Sequence, residues 1–263
     1  IVFDEFHERS LPSDLALALV QRVRASVRDD LRVIIMSATL DPTPVAAFLG
    51  GAPVVESEGR TFPVAIEHRA PTAQAPLEQT VRSAVLETIR GGPGHVLVFL
   101  PGVGEIRRTE AALKDAPLGE HTRGLALHGE LPPESQDAAL APSADRKIVL
   151  ATNVAETSIT IDGVSTVIDT GLERLPSLDP AVGLERLETV SIARESADQR
   201  AGRAGRTGPG RCVRLWARGR DALLEPRRMP AILRADLTGA VLELYAWGET
   251  DLKAFPWFES PPP

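Results

Sequence analysis

Two adjacent carboxylates, Asp4 and Glu5, stand directly behind the apolar run Ile1-Val2-Phe3, with His7 two residues further on. If that run is a strand of a parallel sheet, the pair lies at its carboxyl end, where open α/β sheets bind ligands. Neighbouring carboxylates there suit Mg²⁺: one holds the ion largely through its water shell while the next orients or deprotonates an attacking water. A solvated acidic turn is the competing account of the same residues. Ser37-Ala38-Thr39 closes the next apolar run, Val33 to Met36, and its two hydroxyls either couple neighbouring loops or cap the helix that follows. Behind a third run the chain packs Thr152, Asn153, Thr157, Ser158 and Thr160 into nine positions. Hydroxyl and amide groups of this kind grip phosphates and sugars without reading bases.

Gln199-Arg200-Ala201-Gly202-Arg203-Ala204-Gly205-Arg206 is the sharpest signal. As a helix it aligns Gln199, Arg203 and Arg206 at i, i+4 and i+7, with Ala and Gly between them so that a phosphate or a facing domain can approach closely. From Arg200 to Arg220 there are seven Arg and no acid, in a chain whose 29 basic and 36 acidic residues leave a net charge of −7. The chain as a whole is repelled by phosphate backbones, so any nucleic-acid contact must come from a local basic surface. Only Lys114, Lys147 and Lys253 are lysines, which biases the donors toward planar, forked guanidinium groups.

Other chemistries are disfavoured. The one cysteine, Cys212, excludes an internal disulfide and a cysteine metal cluster, fits a reducing cytosol, and is expected to be a buried, inert thiol. No His-Glu-x-x-His zinc spacing and no Gly-x-Ser-x-Gly elbow occurs, which argues against a zinc protease and a serine hydrolase. With no apolar run long enough to span a bilayer and no signal-like start, a cytoplasmic location and no membrane partner are expected.

The elements that must position these groups alternate short apolar runs with helical patterns, the mark of parallel βαβ units. A run at residues 1–3 is followed by an amphipathic stretch from Ser13 to Val27, the run Val33 to Met36, a helix from Pro42 to Leu49 and the pair Val54-Val55. After residue 62 the pattern restarts. A helix follows Pro76, then strands at 96–100, 125–127, 147–151, 166–169 and 212–216 alternate with helices at 103–114, 133–140 and 196–206. Between Gly171 and Ser191 the pattern fits a projecting hairpin or a long loop equally. Beyond Asp221 the strands stop and one helix, Asp236 to Trp247, dominates.

In this order the motifs resemble the DEAH-box branch of superfamily 2 helicases. Asp4-Glu5-Phe6-His7 is similar to motif II, Ser37-Ala38-Thr39 to motif III and Leu97-Val98-Phe99-Leu100-Pro101-Gly102 to motif IV. Thr152 to Gly163 resembles motif V and Gln199 to Arg206 motif VI. Phe6, where most relatives have Ala, with Leu100 to Ile106 and Leu172 to Arg186, is similar to the bacterial HrpB type. The resemblance implies an α/β fold of tandem RecA-like parallel-sheet domains, the first truncated, followed by the start of a helical winged-helix domain: residues 1–62, 63–220 and 221–263. It implies an ATP-dependent RNA helicase or translocase in which Asp4 holds Mg²⁺, Glu5 orients the attacking water and His7 links the nucleotide site to the second domain. Gln199, Arg203 and Arg206 would reach the γ-phosphate, the two arginines as fingers. Thr160 and Asp162 would face ATP or another NTP. Ser37 and Thr39 would couple, and Thr152, Asn153, Thr157 and Ser158 would lie by single-stranded nucleic acid, expected to be RNA; contacts that tell its 2′-hydroxyls from DNA are specified by no motif.

Two departures qualify the resemblance. No lysine follows a glycine, so the family's Gly-Lys-Ser/Thr phosphate loop is absent from this sequence, which reads as a fragment, and the 263 residues alone are expected not to turn over ATP. No aromatic residue lies between Phe99 and Trp216, so base selectivity is expected to be loose. A non-catalytic RNA-binding module is the alternative, although a pure binder needs neither Glu5 nor the motif VI arginines. A metal-dependent hydrolase built on Asp4, Glu5 and His7 would leave the arginine stretch unexplained.

Overall fold

The computed structural model describes residues 1–263 except Thr39, Leu40, Glu58, Arg60, Thr61, Ala73, Gln74, Ser158, Pro180, Ala181 and Pro263. In chain order the elements are β1 (Val2–Phe3), α1 (Leu11–Ser26), β2 (Ile34–Ile35), α2 (Pro42–Phe48), β3 (Val64–His68), α3 (Leu77–Arg90), β4 (His95–Phe99), α4 (Val103–Lys114), β5 (Thr122–Leu127), α5 (Pro133–Leu140), β6 (Arg146–Ala151), β7 (Val164–Asp169), β8 (Leu172–Asp179), β9 (Leu184–Ser191), α6 (Arg194–Gly202), β10 (Gly210–Arg214) and α7 (Thr238–Ala246). They fall into two compact units. The first comprises Ile1–Glu58, Leu175–Glu188 and Arg228–Pro263; the second comprises Gly59–Arg174 and Thr189–Arg227.

The second unit is a RecA-like α/β domain. Its six-stranded sheet runs β3-β10-β7-β4-β6-β5, and every pairing in it is parallel. Parallel sheets carry helices on both faces, so central strands read as unbroken apolar runs whose side chains part alternately. Val96 and Val98 join Ile148, Leu150, Ile168 and Val213 on one face against α3 and α4 residues. Leu97 and Phe99 join Val149, Ala151, Val167 and Cys212 on the other, with Ala139 of α5 and Ala201 of α6. Cys212 is fully buried, and burial pushes its thiol well up, which keeps it inert as expected.

The same alternation gives two consecutive basic residues opposite duties. At the start of β6, Arg146 donates from Nε to the Gly94 carbonyl at 2.7 Å and from Nη1 to the Ile89 carbonyl at 3.0 Å, closing the end of α3. Lys147 points to the other face, where its ammonium donates to the Ala139 carbonyl at 2.9 Å and to that of Ala141. It thereby caps α5, whose last carbonyls and dipole both favour a cation. A compact ammonium with three rotatable donors fits there in a chain that otherwise prefers arginine.

The first unit holds the two-stranded parallel sheet β1-β2, with Val2 opposite Ile34 and Phe3 opposite Ile35. Ser10 caps α1 by accepting from the Ser13 N–H at 3.3 Å. Leu15 and Ala18 of α1 pack with Ala240 and Leu244 of α7 and with Phe255.

Several elements differ from the sequence reading. Strand β3 was not anticipated: it is an edge strand, half-exposed and ending in Glu67-His68, so it lacks the continuous apolar run of its neighbours. Val54-Val55 forms no strand and is exposed. The segment after Gly171 is a hairpin, β8 with β9. The expected helix to Arg206 stops at Gly202 and tightens into a 3-10 turn over Arg203–Gly205.

Lys147→Met keeps the aliphatic stem and strands buried carbonyls. It should lower the stability of the second unit by about 1–3 kcal/mol in urea unfolding, with Lys147→Arg giving only partial rescue because a planar fork cannot address the same carbonyls.

Candidate nucleotide and nucleic-acid site

In the first unit the site grows from a turn. Behind β1, Asp4 is exposed and its Oδ1 accepts from the Glu5 N–H at 2.8 Å. Glu5 takes a left-handed backbone, φ 50°, and opens a 3-10 turn over Phe6–Glu8. The turn is tied to β2: the Phe6 N–H donates to the Met36 carbonyl at 3.0 Å, and the Ala38 N–H donates to Nδ1 of buried His7 at 3.4 Å. Because Nδ1 accepts, the neutral ring carries its proton on Nε2, which lies 3.5 Å from Glu5 Oε2. The acidic turn and the Ser37-Ala38 segment are thus one physical unit joined through His7. Ser37 is exposed beside it, and Thr39 lies outside the described residues.

In the second unit the loop behind β6 is held at both ends. The Thr152 N–H donates to the Leu127 carbonyl at 3.2 Å, and exposed Asn153 starts a 3-10 turn whose carbonyl accepts from the Glu156 N–H at 2.8 Å. Arg203, buried, donates to the carbonyl oxygens of Ile159 at 2.6 Å, Thr157 at 2.5 Å and Glu156. Arg206, exposed, donates to Thr160 Oγ1. Asp162 is exposed, Gln199 is half-buried on α6, and Ser158 lies outside the described residues.

The structure therefore joins Arg203 and Arg206 to the polar loop, but not along one helix face, because the backbone changes helix type at Arg203. The small residues of the stretch also serve another purpose than expected. A Cβ on Gly205 would sit 2.6 Å from the Phe62 carbonyl oxygen, so glycine there admits a backbone; only Gly202 faces open space.

Sequence reasoning passed over the residue that organises this region. Arg200 is 1% exposed and donates from Nε to Glu156 at 2.9 Å and from Nη1 to Asp169 at 3.1 Å and to the Leu172 carbonyl at 3.2 Å. Its guanidinium lies 4.8 Å from the Phe99 ring centroid. Burial pushes the Asp169 carboxyl above its ordinary range even with Arg200 beside it. The expected basic surface is largely consumed in the same way. Arg214 pairs with Asp198 at 2.8 Å and Asp221 at 3.3 Å, and Arg211 lies 3.6 Å from Glu67. A charged Glu156 among polar loop residues and an Asp ending the apolar strand β7 were the available signals for these partners.

Comparison with known proteins gives this geometry its context. Residues 79–208 match the helicase conserved C-terminal domain. The chain is 44% identical over its whole length to the "ATP-dependent RNA helicase HrpB" of Escherichia coli, of which it spans 32%. It superimposes on a crystal structure of that "DEAH/RHA helicase" with a TM-score of 0.94, covering 100% of this chain and 34% of the other. Over its whole length the chain is similar to DEAH-box helicases. It is also 38% identical to the mouse "Probable ATP-dependent RNA helicase DHX34", spanning 24% of it, and 38% identical to E. coli HrpA, spanning 20%. The chain thus covers about a third or less of the length of these relatives.

The Arg200 cluster carries a checkable consequence. Arg200→Met leaves two buried carboxylates without their cation and should cost about 3–5 kcal/mol of stability at neutral pH. Asp169, its pKa raised by burial, binds its proton more tightly folded than unfolded, so the folded variant gains as pH falls. Urea unfolding at about pH 5 should therefore show a smaller penalty than at about pH 8.

Proposed function

We propose that the intact protein hydrolyses a nucleoside triphosphate, ATP foremost, and uses the cycle to move along single-stranded nucleic acid, RNA rather than DNA, in the cytoplasm. What supports this reading is the presence in one chain of both sets of groups that such a reaction needs. Asp4, Glu5 and His7 belong to the first; Gln199, Arg203 and Arg206 belong to the second. Phosphoryl transfer needs both sets, because positive charge must meet the transferring phosphate while a water is oriented toward it. Hydrolysis can in turn be coupled to conformational change and so to stepping along a strand. The similarity to HrpB and HrpA of Escherichia coli, ATP-dependent RNA helicases, supports the same conclusion.

Asp4 and Glu5 offer oxygen donors at an accessible turn, and among the described residues no third His, Cys, Asp or Glu joins them in a metal cage. So sparse a set fits Mg²⁺, which keeps several waters and takes phosphate oxygens. Bound there, the ion would supply charge neutralisation on the phosphates. Asp4 would hold it, largely through water, while Glu5 orients the attacking water. His7, through Ala38, would pass the state of that turn to Ser37 and Thr39. Thr160 and Asp162 face the nucleotide in this reading; Thr152, Asn153, Thr157 and Ser158 lie by the nucleic-acid backbone.

Arg206 reaches a phosphate by releasing one hydroxyl. Arg203 must exchange carbonyl partners on the polar loop, so its engagement with nucleotide would alter the loop that grips the strand. We read residues 1–62 and 63–220 as the two RecA-like parts and 221–263 as the start of a winged helix.

Glu5→Gln in the intact protein should lower the hydrolysis rate about a hundredfold or more in a phosphate-release assay while nucleotide binding persists. The 263-residue chain alone, whose sequence has no Gly-Lys-Ser/Thr loop, should release no phosphate. An intact protein that binds RNA yet hydrolyses no NTP would instead be a non-catalytic binding module.

A further inference from the structure

The turn that carries Asp4, Glu5 and His7 is bracketed by two non-glycine residues with left-handed backbone, Glu5 at φ 50° and Arg9 at φ 49°. Each such residue costs about 1 kcal/mol or more and persists only where its surroundings over-determine it. At the Glu5 end the restraint comes from β2, through the Phe6 and His7 hydrogen bonds described above. At the Arg9 end it comes from the far end of the chain.

The Arg9 guanidinium makes a paired contact with Asp14, 3.1 Å from Nε and 3.0 Å from Nη2, and a third with Glu259 at 3.4 Å. It lies 4.6 Å from the Phe258 ring centroid. The Arg9 carbonyl accepts from the Ala231 N–H at 3.0 Å. Phe258 also packs on Phe6, the fully buried residue between Glu5 and His7, at 5.7 Å, and on Phe48 at 5.2 Å. One short C-terminal segment thus touches the turn twice, through the ring behind Phe6 and through the carboxylate and stack on Arg9. All of these residues belong to the first compact unit.

We propose that Phe258 and Glu259 form a strap that positions Glu5 for hydrolysis from about 250 residues away in sequence, without touching nucleotide; this rests on reading Asp4 and Glu5 as the metal- and water-handling pair. Without the ring, Arg9 loses its stack and Phe6 loses a wall. The left-handed residue at Arg9 then relaxes, and the single 3-10 turn between it and Glu5 transmits the shift. Misplacement of a water-orienting carboxylate lowers the chemical rate, whereas nucleotide affinity comes mainly from phosphate contacts elsewhere. Phe258 and Glu259 are positioning residues, and their signature is a rate effect separated from a binding effect.

The test compares wild type, Phe258→Ala, Phe258→Tyr and Glu259→Gln in the intact protein, following ATP hydrolysis, thermal unfolding and amide hydrogen exchange over residues 5–10. In Phe258→Ala, kcat should fall about tenfold with KM for ATP within about twofold of wild type. Exchange over residues 5–10 should quicken, and Phe258→Tyr, which keeps the ring, should restore both. Glu259→Gln should show the same pattern more weakly. Wild-type kcat in Phe258→Ala, or unchanged exchange in the turn, overturns the strap, as does a loss of kcat that tracks unfolding in every variant. If wild type shows a protected turn but hydrolyses no ATP, the phosphoryl-transfer reading fails instead and takes this inference with it.

Discussion

A guanidinium removed from water costs several kcal/mol unless carboxylates meet it, and the second unit is arranged around meeting that demand at Arg200. The two carboxylates come from different places, Glu156 in the loop behind β6 and Asp169 at the end of β7, while the carbonyl that completes the set belongs to Leu172 at the root of the hairpin. Two segments distant in sequence, the loop behind β6 and the junction of β7 with β8, are therefore registered by one side chain. Arg203 and Arg206, further along the same stretch, hold the same loop at Ile159 and Thr160. Motif VI grips motif V at successive points, and the innermost of them is sealed from solvent. The residues assigned to nucleotide are then held on a frame whose geometry is set by a buried ion cluster and the parallel sheet beneath it.

The first unit solves a similar problem by different means. Its chemistry-bearing turn is short, accessible and strained, with left-handed residues at both ends. Strain of this kind concentrates at functional sites and needs outside support. Aromatic packing supplies part of it: Phe3, Phe6, Phe258 and Phe48 meet edge-on or tilted in sequence along one cluster. Edge-to-face contact brings the positive rim of one ring to the negative face of the next, and Arg9 uses the same Phe258 ring for its cation. A low aromatic content is here concentrated where it holds the turn.

Charge illustrates how far composition misleads when read locally. Seven arginines without an intervening acid suggest a basic face, yet three of them, Arg200, Arg211 and Arg214, are paired with acids from outside that run: Glu156, Asp169, Asp198, Asp221 and Glu67. A chain of net charge −7 thereby keeps its arginines mostly as structural donors. Any attraction for a phosphate backbone would have to rest on the exposed remainder and on the polar loop that Arg203 and Arg206 hold in place.

By itself the sequence determined the alternation of strands and helices, because buried parallel strands must be continuously apolar and Val96 to Leu100 or Lys147 to Ala151 satisfy nothing else. The residue types and order of Asp4-Glu5 and of the Gln199 to Arg206 stretch also carried the resemblance to DEAH-box helicases, which the comparisons bear out. Only the tertiary structure decided which arginines are buried. Arg200, Arg203 and Arg206 look alike in sequence, and their fates depend on carboxylates, carbonyls and a hydroxyl 28 to 47 residues away. It also decided that Gly205 yields to a passing backbone, that the charged edge strand β3 exists, and that residues 258 and 259 reach the acidic turn. Each of these is a long-range pairing, and a local pattern holds no information about a partner that only folding brings near.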